Sequence, residues 1–448
     1  MIGLFQPYGT MPDPAIGFDA GGLGDIGTWL LAGPAPSEGT ESLGDHTARL
    51  GMLPALDRPG ELCAVVRESG LEGRGGGRFP LARKFETALL APGEPVVVVN
   101  ASESEPYSRK DHILCRHRPH LVLDGAAVAA AIVGAGEVVV HHHRGSPYVH
   151  DALIRAVAER RAVGLNDPRW RISVGPDRYV AGESSAIASF VNGGEARPHF
   201  SATPMAMNGP SRRPTLIHNA ETMAHLAFLL RFGASFWRTG GSPSSPGSQL
   251  LTLTGAVPSP GRVVELVGQA TVGDILLRAG LTAPPAAVLI GGYGGTWVDG
   301  ETAHQAPFDR VALGCIGARP GCGMIGVLPH GACGLVESAR IVCYLAGESA
   351  GQCGPCVTGL PAMASACENL ADGRLRRRSL RRLQSLGDQV EGSGACSHPD
   401  GVVGLVRSAL DVFEDDVIRH LAGHPCRASN HPPVFPVPLV GPAGHVWR

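Results

Sequence analysis

The sequence predicts a multidomain α/β plus α protein: an α/β unit on a mainly parallel sheet, a small α+β module, and a bundle of about four helices. Three observations carry this. Apolar runs of strand length alternate with helical patterns over residues 60–240, strand signals return in a short cluster over 248–305, and helical periodicity dominates 320–425. The chain has 448 residues, 44% of them hydrophobic, which is ample material for more than one core.

Residues 1–59 are rich in Gly and Pro without sustained periodicity and are expected to form a loosely wrapped arm. In the α/β unit, Val96–Val99 reads as a buried strand, Leu121–Val133 as a helix, Glu137–His141 as a strand and Asp151–Ala162 as a helix. The run from Gly240 to Gly247 has the Gly/Ser/Pro composition of a flexible linker and is expected to close the unit. Leu250–Gly255 then alternates as a strand, Val263–Val267 answers it, Val272–Leu277 starts a short helix and Ala287–Ile290 is a further strand. From about residue 325, strands are expected to give way to helices. Leu335–Leu345, the series Leu380, Leu383, Leu386, Val390, and the series Val403, Val406, Leu410, Phe413, Val417, Leu421 all have helical spacing, with cysteines at the helix ends. Residues 426–448 are Pro-rich and are expected to be an irregular tail.

A formal net charge of −2 gives no field that would draw nucleic acid or an anionic membrane. No apolar stretch reaches the roughly eighteen residues needed to span a bilayer, so no direct membrane insertion is expected. The first residues lack the basic and apolar regions of a signal peptide, so a cytoplasmic location is expected, peripheral to a membrane complex at most. Eleven cysteines, concentrated between Cys315 and Cys396, fit metal or redox chemistry in a reducing compartment better than a disulfide framework. Cys63, Cys115, Cys343 and Cys367 lie in apolar or helical contexts and read as small hydrophobes.

Three stretches carry chemistry. Gly73-Arg74-Gly75-Gly76-Gly77-Arg78-Phe79-Pro80 leads into a helix with Lys84 one turn inside; glycines let backbone approach a bulky ligand, and helix-start amides with a lysine suit a phosphate. Asn100-Ala101-Ser102-Glu103-Ser104-Glu105 follows the Val96–Val99 strand, at the carboxyl edge where open α/β sheets bind ligands. Glu348-Ser349-Ala350-Gly351-Gln352-Cys353-Gly354-Pro355-Cys356, answered by Cys396, offers three thiolates for an iron-sulfur cluster, one short of the usual four. The same thiolates with His398 also make a Cys3His set suited to structural zinc. His141-His142-His143 alternates across a strand and is read as structural. Arg376, Arg377, Arg378, Arg381 and Arg382 read as a solvated helix face, or as a dock for an acidic ferredoxin-like partner.

Together with Lys110-Asp111, Tyr179-x-x-Gly182-Glu183, Pro214-Thr215 and Asn219-x-Glu221-Thr222, these motifs occur in the order found in the NADH-binding flavoprotein subunit of respiratory complex I and of related hydrogenases and formate dehydrogenases. The chain resembles that family over roughly residues 60–425. The resemblance implies a Rossmann-like FMN-binding domain, a β-grasp module and a C-terminal helical domain carrying an iron-sulfur cluster. It implies an NAD(P)H dehydrogenase that passes electrons through FMN to the cluster, and on to a ferredoxin-like subunit or other protein or quinone-linked acceptor. By position, Gly73, Gly75, Lys84, Asn100, Glu103, Tyr179, Gly182, Glu183 and Asn219 resemble the FMN contacts. Phe79, Phe85 and Glu105 resemble those that hold NADH; Phe79 and Phe85 equally suit a core role. Cys353, Cys356 and Cys396 resemble the cluster ligands.

The departures are specific. Arg78 replaces a loop glycine, Ser102 an aspartate, Ser184 a glutamate, His218 an asparagine, and Pro204 an aromatic that packs on the nicotinamide. Ala350 stands where the family has the remaining cluster cysteine. A [3Fe-4S] cluster, or a [4Fe-4S] cluster with an unusual ligand, is the expectation, with Cys367, Cys426, Cys322 and His398 as candidate substitutes. The alternative is a catalytically silent scaffold homologue with structural zinc or no metal.

Overall fold

The computed structural model describes residues 28–200, 203–207, 209, 213–438 and 447. Ser42 caps the first helix, α1 (Leu43–Leu50), through its hydroxyl, and α2 (Pro59–Ser69) begins with Pro at its first position. After α3 (Leu81–Leu90), four strands form a wholly parallel sheet: β1 (Val96–Asn100), β2 (Glu137–His143), β3 (Arg169–Gly175) and β4 (Thr215–Asn219), in the order β3-β2-β1-β4. The helices α4 (Lys110–His117), α5 (Pro119–Val133), α6 (Pro147–Ala162), α7 (Ser184–Val191) and α8 (Ala220–Trp237) lie among them. Alternation decides the faces. Val97, Val99, Val138 and Val140 share a core with α5 and α8, whereas Val96, Val98 and Val139 pack with Ile187 and Ala188 of α7. Burial on both sides explains why the central strand β1 reads as an uninterrupted apolar run, whereas the edge strand β3 exposes Arg169 and Arg171. α5 and α8 approach backbone to backbone: a Cβ on Gly125 would sit 1.8 Å from the carbonyl oxygen of Met223.

Two expectations for the borders of this unit are corrected. The described part of the N-terminal segment is no loose arm. Trp29, Leu30 and Leu31 are buried, Trp29 stacks on Phe228 at 5.0 Å, and the three amides donate to the Glu265 carboxylate at 2.9–3.1 Å. The Gly240–Gly247 run is not a flexible linker but a tight hairpin of β5 (Gly241–Ser242) and β6 (Ser245–Pro246). The hydroxyls of Ser242 and Ser244 donate to Asp309, and Gly247, at φ +84°, lies against Trp237 so closely that a Cβ would meet the ring at 1.9 Å.

The second sheet is mixed, with order β10-β9-β11-β7-β8. Its strands are β7 (Gln249–Gly255), β8 (Arg262–Leu266), β9 (Ala287–Ile290), β10 (Thr296–Asp299) and β11 (Met324–Leu328). β11 straddles the border near residue 325 at which strands are expected to give way to helices, and it lies inside the 320–425 stretch expected to be helical: it is the middle strand, parallel to β7 and antiparallel to β9. One face packs on α9 (Val272–Arg278), α10 (Gly300–Gln305) and α11 (Arg310–Cys315), while Leu289, Trp297, Met324 and Leu328 face the C-terminal helices.

Those helices are five: α12 (Gly334–Gly347), α13 (Leu360–Ala371), α14 (Arg377–Val390), α15 (His398–Val412) and α16 (Glu414–Leu421). In α14, Leu383 and Val390 are buried and Arg377, Arg378, Arg381 and Arg382 are exposed, a strongly amphipathic surface helix. The described chain from Cys426 to Pro438 holds one short 3-10 turn (Arg427–Asn430), is otherwise irregular, and is not detached. Phe435 is fully buried, and the amides of Val434 and Phe435 donate to Glu337.

Candidate functional site

The carboxyl ends of β1 and β4, the glycine-rich loop before α3 and the segment Tyr179–Glu183 converge on one edge of the parallel sheet. A backbone hydrogen bond from Gly73 to the Phe79 carbonyl (3.0 Å) closes the loop, and Gly75 lies against Asn219. Among the described residues, Arg78 (φ 46°) and Glu103 (φ 45°) alone combine a side chain with left-handed backbone. Such conformations cost on the order of 1–3 kcal/mol and concentrate at ligand sites. Arg78 therefore keeps a glycine's backbone while adding a guanidinium.

Several polar atoms at this edge are buried without a partner: Arg74 Nε, Arg78 Nε and Nη1, Ser102 Oγ, Ser104 Oγ and His218 Nε2. Buried polar groups are ordinarily paired, so these donors and acceptors fit a polar, anionic ligand that supplies the missing bonds. Burial, then the neighbouring Arg74, pushes Arg78 down to about 9. Burial also lowers Lys84, whose Nζ has only a 3.4 Å contact to the Ile217 carbonyl. A bound phosphate would reverse both penalties.

Other residues named from the sequence are placed differently. Asn100 donates to the Gly182 carbonyl (2.8 Å) and accepts from the Ser102 amide (3.1 Å), so it clamps the site's walls. Glu103 points into the protein: its carboxylate accepts from Ser108 Oγ (2.6 Å) and from the amides of Asp111 (3.1 Å) and His112 (2.7 Å). Burial pushes this carboxyl up, but His112, Lys110 and the donated bonds outweigh it and hold it below the ordinary range. Glu183 caps α7 through the amides of Ser185 and Ala186. Asn219 donates to both oxygens of Asp111. Phe79 is half exposed at the loop, whereas Phe85 is fully buried in the core and offers no face to a nucleotide.

Beneath this edge lies a charge network whose members appeared in the motifs without an assigned role. Lys110 Nζ sits 2.9 Å from Asp111 and 2.8 Å from Glu221, and Glu221 accepts from the Leu250 amide (2.8 Å). Burial alone would lower the lysine, but Asp111, Glu221 and Glu103 hold it above its ordinary range. The network ties α4, α8 and β7 together. Side-chain identity announces such groups, but only the fold shows that they meet.

Glu105 is the contrasting carboxylate. It accepts from Tyr179 Oη (3.0 Å) and the Tyr293 amide (2.9 Å), with no cation against it, and burial raises it to about 7. Its neighbours lead directly to the cysteine-bearing segment. The Tyr179 amide and Arg178 Nε both donate to Glu348 (2.8 and 3.0 Å), two residues before Ala350, and the Tyr179 ring lies 5.3 Å from that of His398. Val180, Ala350 and Trp447 pack together, with the Trp447 ring between Arg178 (4.5 Å) and Arg197 (4.9 Å).

Cys353 and Cys356 flank the start of a π-helical turn (Pro355–Gly359), and Cys396 immediately precedes the α15 region. Burial would raise the Cys353 thiol, but backbone donors from Ala395 and Cys356 lower it, whereas burial and then Cys353 push Cys356 up to about 12. The three are neighbours, yet they do not form a set with all donors within 4.8 Å of one another. His398 Nε2 already donates to the Leu345 carbonyl (2.8 Å). The other candidate substitutes are engaged elsewhere: Cys322 at the Gly291 carbonyl (3.3 Å), Cys367 in the helical core and Cys426 beside His420.

Two family descriptions match: the Nuo51 FMN-binding domain over residues 66–227, and the iron-sulfur binding region of NADH-ubiquinone oxidoreductase-F over residues 337–420, together more than half of the chain. An NADH-quinone oxidoreductase subunit of Streptomyces coelicolor is 28% identical over 394 residues, which cover 85% of this chain and 88% of that protein. An NADH-quinone oxidoreductase subunit of Rhizobium meliloti is 28% identical over 382 residues, covering 82% and 90%. A crystal structure of NAD+-reducing [NiFe]-hydrogenase in the H2-reduced state aligns with a TM-score of 0.75 at 26% identity, covering 83% of this chain and 63% of that chain. Shared fold, shared motif order and these matches make the chain a divergent member of the family of NADH-binding flavoprotein subunits of complex I and related hydrogenases.

Proposed function

We propose that this chain is a flavin and iron-sulfur oxidoreductase subunit that takes electrons from NAD(P)H and delivers them, through a cluster at Cys353, Cys356 and Cys396, to a ferredoxin-like or other electron-transfer subunit. One observation carries the reading: Tyr179–Glu183, a wall of the sheet-edge site, is hydrogen-bonded through Glu348 to the cysteine-bearing segment. When bound, FMN supplies two-electron acceptance from a nicotinamide and one-electron release toward iron-sulfur. Residues 60–240 form the FMN- and NADH-binding domain. The β-grasp module of 248–305 is completed by β11, and the helical residues up to 425 hold the cluster.

Arg74, Arg78 and Lys84 supply positive charge beside the glycine loop, and Ser102, Ser104 and His218 supply hydrogen bonds to a ligand's hydroxyls and ring atoms. Gly182 must remain small, since a Cβ would meet Ser104 Oγ at 1.9 Å. Glu105, uncompensated by any cation, can hold or release a proton near neutral pH beside the nucleotide. The exposed arginines of α14 are the face offered to an acidic partner. Among the described residues no helix is long and apolar enough to cross a membrane, and a peripheral cytoplasmic location accords with that.

The test is anaerobic purification with flavin, iron and sulfide counted, followed by NADH or NADPH and observation of flavin bleaching. Bound FMN, about three irons per chain and an electron paramagnetic resonance signal of an oxidised three-iron cluster are expected, with Ala350→Cys raising iron to about four. A colourless protein without flavin or iron overturns the reading in favour of the silent scaffold.

A further inference from the structure

Away from the site above, among the described residues, one group of three His, Cys, Asp or Glu side chains has every donor atom within 4.8 Å of the others: Cys333, His420 and Cys426. Three elements deliver it. Cys333 is the residue before α12, His420 is in the last turn of α16, and Cys426 follows where the chain turns back across the bundle. All three are buried, His420 completely. Cys333 Sγ and His420 Nε2 are 3.8 Å apart, close to the spacing of about 3.5–3.8 Å that tetrahedral bonds of about 2.0–2.3 Å impose on two donors.

The surroundings are those of a ligand set. His420 Nδ1 donates to the Leu370 carbonyl (3.1 Å), which fixes the tautomer and makes Nε2 the acceptor nitrogen, the carbonyl-to-histidine support typical of metal-binding imidazoles. The amides of Val336 and Leu335, at the open start of α12, are directed at the Cys333 sulfur. A metal ion would displace the hydrogen bond that the Cys426 amide donates to Nε2 (3.0 Å) and the contacts that the two sulfurs make with Nε2 and with Ser429 Oγ. A cavity of about 620 Å³ lined by Gly334, Phe413, Asp416 and Cys426 reaches the group from solvent, leaving room for a fourth, water-borne ligand.

We propose that Cys333, His420 and Cys426 bind a zinc ion in a Cys2His site, separate from the iron-sulfur site, which pins the end of α16 and the chain after it to the start of α12. Two thiolates and one imidazole on a rigid, mostly closed frame match zinc in softness and geometry.

The test is metal analysis of the full chain purified anaerobically from zinc-supplemented culture, with cobalt replacement as a spectroscopic probe. Wild type should carry one zinc per chain, with zinc content reduced at least tenfold in Cys333→Ser, His420→Gln and Cys426→Ser. Flavin and iron should be unchanged in these variants, and zinc should be retained in Cys343→Ser. His420→Cys, which keeps three soft donors, should retain zinc. Cobalt-loaded wild type should show sulfur-to-metal charge transfer and the visible bands of a tetrahedral site. Zinc-free wild type without that cobalt spectrum, zinc undiminished in the folded variants, or a Cys333–Cys426 disulfide in non-reduced peptides would each overturn the proposal. Should the variants fail to fold, the zinc count and cobalt spectrum of a chain carrying Cys353→Ser and Cys356→Ser, which removes the other thiolate pair, still decide it.

Discussion

Glu103 and Glu105 are two residues apart in one loop, both half-buried with their carboxylates turned away from water, and the protein drives them in opposite directions. Glu103 turns inward, where a hydroxyl, two amides, His112 and Lys110 hold it ionised. Glu105 turns toward Tyr179 and Tyr293, where two neutral donors do not offset burial, and it rises to about 7. The lesson is that burial does not set a carboxylate's charge; the partners do. The inward residue belongs to a satisfied charge network that builds the scaffold, and the outward one remains available for chemistry.

Lys110→Met should break the scaffold side most severely. Three buried carboxylates lose their cation, and a loss of about 3–5 kcal/mol, or failure to fold, is expected in chemical denaturation. Glu105→Gln tests the other side through pH. In the folded chain Glu105 keeps its proton up to about 7, while the unfolded chain releases it from about 4.5 upward, so the unfolded state gains as pH rises through that window. The stability of Glu105→Gln relative to wild type should therefore climb by about 3 kcal/mol between pH 4.5 and 8 in flavin-depleted protein, whatever the offset from its altered hydrogen bonds. Glu103→Gln should behave oppositely: its deficit is fully present at neutral pH and shrinks as pH falls below the ordinary carboxylate range.

Smaller effects sharpen the contrast. Arg178→Met removes one of the two donors to Glu348 and leaves the Tyr179 amide in place, so a loss of about 2 kcal/mol is expected, accompanied by slower electron transfer from flavin to cluster in single-turnover kinetics. Arg67→Ala breaks an ion pair with Glu86 that is exposed on both sides, and the denaturation midpoint should not move.

Local pattern was enough for Val96–Val99, for the helix around Leu121–Val133 and for Ala287–Ile290, because burial there is settled by neighbours close in sequence. It failed where distant residues decide. Gly240–Gly247 has a linker's composition, but Asp309 and Trp237 fold it into a hairpin. Met324–Leu328 is a short run between Gly323 and Pro329 that Gly326 interrupts, and only β7 and β9 on either side make it a central strand. At the site, the motifs showed which residue types gather at the sheet edge. They did not show that Glu103 faces inward, that Phe85 belongs to the core, or that Lys110 reaches Glu221. Cys333 and His420 are far apart in sequence and share no motif, so their meeting with Cys426 is visible only in three dimensions.

Glu265 receives the backbone of Trp29, Leu30 and Leu31 at the floor of the second sheet, and burial already raises its carboxyl. Trimming the protein to its recognisable motifs would therefore strip a fully enclosed acid of three of its donors and uncover the aromatic shelf of Phe228 and Trp237. A shortened gene product that starts after Leu31 should be sticky and pH-sensitive even though every cofactor loop is intact.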